Sequence, residues 1–532
     1  MLPKNARREE VLRALEEAGG LRPGTAGKVH LETGVPAADV YGVASFYHLL
    51  SRPDTDVFVC QGLSCRLAGC QEVKDELAAQ GERVGFVSCV GRCDAAPAVW
   101  RRDMDPRGRP EAFPVHFAPS SPELAIDLAA GPEADRRRGY EALRIARERG
   151  ADWVCDQLEA AGLQGRGGAG FPTHIKWRGV RKQPVTERYV VLNADEGEPG
   201  TFKDREVMLQ RPHLVIEGLA IAAHTLQARD VYVYVRGEFG MCRAALERAL
   251  EEARERGDLP GVDEEDDAAT IRWHFADGHG AYICGEESAL LESLEGKRGM
   301  PRLRPPFPVE KGFRGKPTLI QNVETIACVP AILTRGGEWF RGAGATGAGP
   351  KLYCLSGHVT HPGVYEAPLG ITLSELLEMA GGVVGTLKAF SPGGASSGFL
   401  PASAADVPLD FKSLQEAGSM LGSAGIVVLN NTADMVEAAL AQAIFFEDES
   451  CGQCSPCRIG TQMLRQALDR YLAARDANPH GRAGAGAFTL PPELDEVAWG
   501  MQEASICGLG QAASLPLTTA IKHFPEEFGL ES

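Results

Sequence analysis

Apolar residues recur at helical spacing in EEVLRALEEAG and again in AADVYGVASFYHLL, and predict a helical lead-in over residues 1–50. The period then changes. Short β-branched runs (DVFVC, RVGFVSC, APAVW) surround the helical QEVKDELAAQ, so lead-in and small α/β unit together fill residues 1–118. Residues 119–137 break the pattern with Pro, Ser and Ala (APSSPELAIDLAAGPEAD) and are expected to form a linker. Over 138–345 strands such as YVVLNA and DVYVYVR alternate with helices such as FGMCRAALERALEEARERG, the order of an α/β domain. Residues 346–431 carry short strands and many glycines, a compact β-rich insert. Residues 432–532 are helical, apart from the low-complexity ANPHGRAGAGAF, expected as a surface loop. No internal repeat is present, and the fold class is multidomain α/β.

Composition narrows the function classes. The chain has 532 residues, 44% hydrophobic and 24% charged, with a formal net charge of -17. No basic excess is available to neutralise nucleic-acid phosphates, so no nucleic acid is expected as partner. A small anionic ligand needs only a local cluster of N–H groups and is not excluded. The start lacks a signal-peptide core, and LVIEGLAIAAH carries Glu217 and His224 and is too short to span a bilayer. The expectation is a cytoplasmic protein with no membrane segment of its own.

Fourteen cysteines exceed what packing requires, and in a reducing compartment clustered cysteines read first as metal or redox ligands. Six (Cys70, Cys155, Cys242, Cys284, Cys328, Cys354) are scattered singly and read as packed thiols. The others form two sets. Cys451, Cys454 and Cys457 stand as C-x2-C-x2-C in ESCGQCSPCRIGT, and Cys507 follows alone in ASICGLGQAA. Three thiolates from one loop and a fourth from a distant helix end meet the needs of a [4Fe–4S] cube. Zinc is the plainer alternative, but its structural sites pair two separate C-x2-C knuckles. Arg458 and the neighbouring glycines add cationic or N–H character that favours a reduced cluster.

The N-terminal set pairs Cys60 and Cys65 (VCQGLSC) with Cys89 and Cys93 (SCVGRC). Each pair follows a β-run, so both are expected on strand-end loops, two thiolates for each iron of a [2Fe–2S] cluster. Cys65 to Cys70 repeats the C-x4-C spacing, which leaves Cys70 as an alternative to Cys60. Cys60 is preferred because it closes the strand.

Between the two sets lie loops suited to a nucleotide. Gly165 to Gly170 in GRGGAG matches G-x-G-x-x-G, but a helical stretch precedes it and Phe171-Pro172 follows, against the strand–loop–helix order of a Rossmann fingerprint. Its backbone N–H groups can still cradle phosphate; a flexible loop is the alternative. NADEGEPGTFKD follows the strand YVVLNA, at the carboxyl end where α/β sheets bind ligands. Its acids, including Asp195, Glu196 and Glu198, suit ribose hydroxyls and ring N–H groups better than phosphate. GAYICGEES offers Tyr282, then Gly285, Glu286 and Glu287 opening a helix, where at least one acid is expected to serve only the helix dipole. PRLRPPFP sets Phe307 between prolines as a rigid stacking face. No histidine is placed as a general base.

VPAADVYGVASFYHLL with the N-terminal thiols resembles the thioredoxin-like [2Fe–2S] subunit of respiratory complex I. GLQGRGGAGFPTHIKW, NADEGEPGTFKDRE, GAYICGEESALLESLEGKRG and SCGQCSPCRIGT resemble the flavoprotein subunit of the same enzyme. The chain is similar to the two fused, as in diaphorase subunits of NAD-dependent formate dehydrogenases and NAD-reducing hydrogenases.

The resemblance implies an FMN- and NAD(H)-binding α/β domain, a ubiquitin-like β-grasp insert and a terminal helical [4Fe–4S] domain. It implies that Gly165, Arg166, Gly167 and Gly168 approach FMN and NADH, with Phe171 near the nicotinamide nucleotide and Lys176 near the flavin. Asn193 and Asp195 would contact FMN, and Glu198 the adenosine ribose, where a carboxylate repels a 2′-phosphate and favours NAD over NADP. The Tyr282–Glu287 segment would lie against the flavin. Arg304 replaces the family's usual lysine, and Gln321 precedes Asn322 where two asparagines are usual, so one flavin-phosphate contact differs.

The implied function is hydride exchange between NAD(H) and FMN, then single-electron steps to the clusters. SPGGASSGFLPASAADVPLDF, FEDESCGQCSPC and ASICGLGQAA look closest to formate dehydrogenase beta subunits. That implies a catalytic alpha subunit with a molybdenum or tungsten cofactor and further iron–sulfur clusters. A hydrogenase diaphorase or complex I module is the second reading, and a flavin-free iron–sulfur relay the third.

Overall fold

The computed structural model describes residues 7–102, 115–259, 270–477 and 493–530. ANPHGRAGAGAF falls almost wholly outside them. The helical lead-in forms as expected, with Val11, Leu15, Val29, Val40 and Val43 buried. Its anchor is Tyr47, whose hydroxyl donates to Lys297 O (2.7 Å) and Ser293 Oγ (3.0 Å) of the central domain.

The first sheet has the order β2-β1-β3: β1 (Val57–Cys60) runs parallel to β2 (Val84–Val87) and antiparallel to β3 (Val99–Arg101). The next strand, β4 (His116–Phe117), departs from expectation. It lies within the stretch assigned to this first unit, yet it pairs with a strand of the distant insert.

The central sheet is wholly parallel, order β7-β6-β5-β8, from β5 (Tyr189–Ala194), β6 (Asp230–Val235), β7 (Arg272–Asp277) and β8 (Thr318–Asn322). Such a sheet must be covered on both faces, which explains the near-continuous apolar runs of β5 and β6. Pro212–Leu226, the most apolar helix candidate, is a buried covering helix. No helix among the described residues is long and apolar enough to cross a membrane.

The third sheet, order β12-β11-β13-β9-β10-β4, adds β9 (Pro350–Gly357), β10 (Gly363–Pro368), β11 (Leu387–Ser391), β12 (Leu400–Pro401) and β13 (Gly425–Asn430). It docks on the central domain through buried charge. Glu324 accepts Lys203 Nζ (2.9 Å), Lys351 Nζ of β9 (3.4 Å) and the Leu352 amide (3.0 Å), with Lys203, Lys351 and Glu324 side chains 0% exposed.

The expected linker is no free tether. The amides of Ala125, Ile126 and Asp127 all donate to the buried carboxylate of Glu366 on β10 (2.6, 3.0 and 2.7 Å), and a helix follows at Gly131–Arg136. Buried main-chain donors need an acceptor, and Glu366 supplies it. The C-terminal helices include Met435–Glu449, Ser455–Ala477 and Leu494–Ala504.

Candidate redox and nucleotide site

The four N-terminal cysteines meet. Cys60 ends β1, and its thiol interacts with those of Cys65 and Cys89, while Cys89 also meets Cys93. These sulfur contacts push the Cys60 thiol up and draw Cys89 well below the ordinary thiol range. Main-chain N–H groups point at three of the sulfurs: Ala98 at Cys65 (3.4 Å), Gly91 at Cys89 (3.3 Å) and Gly200 at Cys93 (3.3 Å). That donor set fits thiolates carrying a cluster's charge. Two details differ from expectation. Cys65 lies in the short helix Leu63–Leu67 and Cys93 opens the turn Cys93–Ala95, so only part of the set is on loops. Cys70 heads the helix Cys70–Ala79 and shares no sulfur hydrogen bond with the set.

The C-terminal four also converge. Burial raises the Cys457 thiol to about 12, helped by Cys454, Cys507 and Cys451 nearby. Burial lifts Cys507 to about 11, partly opposed by the amides of Gly510 and Leu509. Gly510 explains how the remote thiol arrives: a Cβ there would lie 2.8 Å from Cys457 Cβ and 2.5 Å from Ser505 Oγ. No three or more His, Cys, Asp and Glu side chains among the described residues surround a point that one metal ion would fill. An iron–sulfur core, with its own inorganic sulfides, asks for a wider spread of thiols than a lone ion does. The six scattered cysteines are buried free thiols.

The glycine loop is closed at its base by Gly165 N to Phe171 O (2.9 Å) and lies over the end of β8, where a Cβ on Gly167 would be 3.2 Å from Asn322 Cβ. Arg166 is fully buried; its Nη2 donates to Ala348 O (2.9 Å) and Pro350 O (3.1 Å) and staples this loop to the insert, while Nε and Nη1 have no hydrogen-bond partner. Asn322 is likewise committed: Oδ1 caps Thr325 N (3.3 Å) and Nδ2 donates to Asp204 (2.6 Å). Gln321 is buried beside it with Nε2 unpartnered, a free donor.

On the neighbouring strand, Asn193 pairs in register with Asn322 and donates to Gly285 O (2.8 Å), joining two expected flavin segments. Glu196 turns away and accepts the amides of Asp204 (2.8 Å) and Arg205 (3.0 Å), opening the helix Lys203–Gln210; burial, then Asp204, raises it to about 7. Glu286 is the dipole acid, capping Ser288 N and Ala289 N at 2.9 Å. Asp195 stays available: Oδ2 is buried and unpartnered, and burial lifts the carboxyl to about 8 against Arg236. Glu198 accepts Tyr282 OH and Ser396 N (2.8 Å).

Glu287 lies between Lys176 Nζ (2.7 Å) and Arg304 (3.2 Å); burial opposes its charge, and these cations more than offset that. Phe171 and Phe307 are 46% and 50% exposed, open faces for a ring. An unpartnered carboxyl, an unpartnered amide and two open aromatics suit a flavin or nucleotide.

Three participants were missed from sequence. Arg236, directly after β6, donates to the carbonyls of Cys89 and Glu196. Glu449, two residues before Cys451, accepts Ser88 Oγ and Tyr282 N (2.9 Å). With Cys89, Asp195, Arg236 and Tyr282 it lines one small crevice. Ser396, in the insert's glycine turn, reaches Glu198 because Gly394 has no Cβ; one would sit 2.5 Å from Glu198 Cγ. A lone arginine at a strand's carboxyl end, DVYVYVR, was the available signal for Arg236.

Four family models match the chain: thioredoxin-like [2Fe-2S] ferredoxin (residues 8–105), Nuo51 FMN-binding domain (158–331), SLBB domain (352–400) and NADH-ubiquinone oxidoreductase-F iron-sulfur binding region (437–531). The chain is 47% identical over 395 residues to the second F-type subunit of the NADH-quinone oxidoreductase of Rhizobium meliloti (73% of this chain, 91% of the relative). It is 44% identical over 408 residues to the F-type subunit of the same enzyme in Mycobacterium bovis (75% and 89%). A crystal structure of NAD+-reducing [NiFe]-hydrogenase in the H2-reduced state contains a chain matching with TM-score 0.85 and 31% identity, over 99% of this chain and 94% of that one. With 47% identity covering 91% of one such subunit, and with the flavin-binding and C-terminal iron–sulfur regions both matched, the chain belongs to the family of F-type NADH-quinone oxidoreductase subunits.

Proposed function

We propose that this chain is the NAD(H)-reactive electron-input subunit of a larger oxidoreductase, with Cys60, Cys65, Cys89 and Cys93 holding the [2Fe–2S] cluster and Cys451, Cys454, Cys457 and Cys507 the [4Fe–4S] cluster. One observation carries it. Glu449 joins all three stations: it accepts from Ser88 beside Cys89 and from Tyr282 in the flavin segment, and it stands two residues before Cys451. FMN, when bound, converts a two-electron hydride into the single electrons that iron–sulfur clusters accept.

The chain's own side chains bind and orient. Asp195 and Gln321 offer unpartnered polar atoms to the flavin. Phe171 and Phe307 offer stacking faces, Lys176 a cation beside Glu287, and Glu198 an acceptor for a ribose hydroxyl. Gly165, Gly167, Gly168 and Gly285 keep the approach open, while Arg166, Glu196, Glu286 and Asn322 hold the loops in shape.

The proposed complex is a formate dehydrogenase, with a molybdenum- or tungsten-containing alpha subunit receiving formate. The supporting features are the insert turn SPGGASSG, whose Ser396 meets Glu198, and the cysteine segments that resemble formate dehydrogenase beta subunits. An NAD-reducing hydrogenase is the second reading, favoured by the match across 99% of this chain.

The test is NADH oxidation by the purified chain with an artificial acceptor, alongside its flavin spectrum and iron content. Activity with flavin and about six irons per chain is expected. Iron without flavin, unrescued by added FMN, overturns the reading in favour of a flavin-free relay. Purification from the native host, assayed for NAD+ reduction by formate and by hydrogen, separates the two complexes.

A further inference from the structure

We infer that Arg236, a residue of the flavin-binding domain, is the positioning residue that sets the reduction potential of the [2Fe–2S] cluster in the neighbouring thioredoxin-like domain. The inference rests on the ligand assignment for Cys60, Cys65, Cys89 and Cys93 proposed above.

Arg236 directly follows β6 and is 7% exposed. One terminal nitrogen donates to Cys89 O, the main chain of a candidate ligand, and the other to Glu196 O; Nε donates to Glu238 at 3.0 Å. The approach is shaped for this contact. Gly91 has φ +67, and a Cβ there would lie 2.6 Å from the Phe239 ring and 3.4 Å from Arg236 Nη1. Phe239 in turn lies under the guanidinium, 5.4 Å from it to ring centroid.

Two other cations share this loop: Arg205 donates to Gly91 O at 2.5 Å, and Arg92, within the loop, has Nε 3.6 Å from Asp94. Arg205 and Arg236 differ in compensation. Arg205 is held between Glu206 (2.8 Å) and Asp94 (3.0 Å), whereas the ion pair of Arg236 is with Glu238 alone. Asp195, the other acid beside it, is kept largely neutral by burial. Arg236 therefore places its charge against the main chain of a candidate ligand, at Cys89 O, rather than elsewhere on the loop.

Accepting one electron makes the cluster site one unit more negative. A fixed cation in a buried, low-dielectric setting favours the reduced form and raises the potential. Guanidinium stays charged at any working pH, so the effect is constant rather than switched.

The experiment is an EPR-monitored redox titration of the full-length holoprotein, wild type beside Arg236→Gln, Arg236→Lys and Glu238→Gln. The expected result for Arg236→Gln is a lower [2Fe–2S] midpoint, so that the reduced fraction at a fixed potential falls several-fold while the [4Fe–4S] midpoint stays put. Arg236→Lys should keep most of the wild-type value. Glu238→Gln, which removes the countercharge, should move the midpoint upward. An unmoved [2Fe–2S] midpoint in Arg236→Gln, or both Gln variants shifting in one direction, overturns the inference. If Arg236→Gln fails to assemble the cluster, Glu238→Gln decides alone: no upward shift overturns it. Wild type lacking the [2Fe–2S] signal, or Cys89→Ser retaining it unchanged, would sink the ligand assignment instead.

Discussion

Asp448 accepts Gln61 Nε2 at 2.9 Å across 387 positions of sequence, and Glu449 beside it accepts Ser88 Oγ. Gln61 follows Cys60 and Ser88 precedes Cys89, so two consecutive acids hold the neighbours of both strand-end cysteines. The same acids end the helix from which the Cys451 loop departs. Domain docking and cluster placement are one interaction here.

Glu449→Ala should therefore leave Ser88 Oγ and Tyr282 N without acceptors and cost about 1–3 kcal/mol for each buried group left unsatisfied. Thermal unfolding of the holoprotein, followed at the cluster absorption, should show earlier loss of the [2Fe–2S] signal. An unchanged melt would mean that water replaces the carboxylate.

Glu324→Gln removes the shared partner of Lys203 and Lys351, and breaking a buried ion pair typically costs about 3–5 kcal/mol. Burial opposes the Glu324 charge, but Lys203, Lys351 and Arg166 hold the carboxyl down at about 2. Its contribution is present above the ordinary carboxylate range near 4 and is lost as pH falls toward about 2. The wild type should lose stability over that acid window and Glu324→Gln should lose less, measured by denaturant unfolding.

Glu198→Gln removes a carboxylate that would repel a 2′-phosphate. Relative kcat/KM for NADH over NADPH should fall by roughly tenfold, about 1.4 kcal/mol. Unchanged NADPH kinetics would remove Glu198 from the ribose site.

Asp195 behaves in the opposite sense to Glu324. Burial raises it to about 8, so the folded apoprotein keeps a proton that the unfolded chain loses near 4, and stability falls as pH climbs between the two. Flavin-free Asp195→Asn should melt several degrees above wild type near pH 8 and at nearly the same temperature near pH 4. A constant difference across that range would point to packing rather than ionisation.

Much of this was legible along the chain because thiol spacing and strand periodicity are local. The cysteine sets, the α/β order of the central domain and the loop after YVVLNA all depend on short-range pattern. What escaped depends on where distant segments meet. The side chain of Arg166 lies in a glycine loop, but its guanidinium partners are carbonyls at Ala348 and Pro350. Glu196, Glu198, Glu286 and Glu287 look interchangeable as acids, yet two cap helices while Glu287 pairs with cations and Glu198 meets a tyrosine and a serine amide. Asn322 has the expected address but its amide is already engaged by Thr325 and Asp204. Hydrogen-bond partners, rather than residue type, separate these roles.

The pairing of β4 with β10 has a consequence for synthesis. His116 leaves the ribosome roughly 250 residues before its partner Gly363, a delay of about 12–50 s at ~5–20 residues per second. During that interval the first unit can close its own three-stranded sheet, but His116 and Phe117 have no strand to join. The last edge of the insert is thus added from a segment made long before it, so deleting the first unit through residue 118 would also remove a strand of the third sheet.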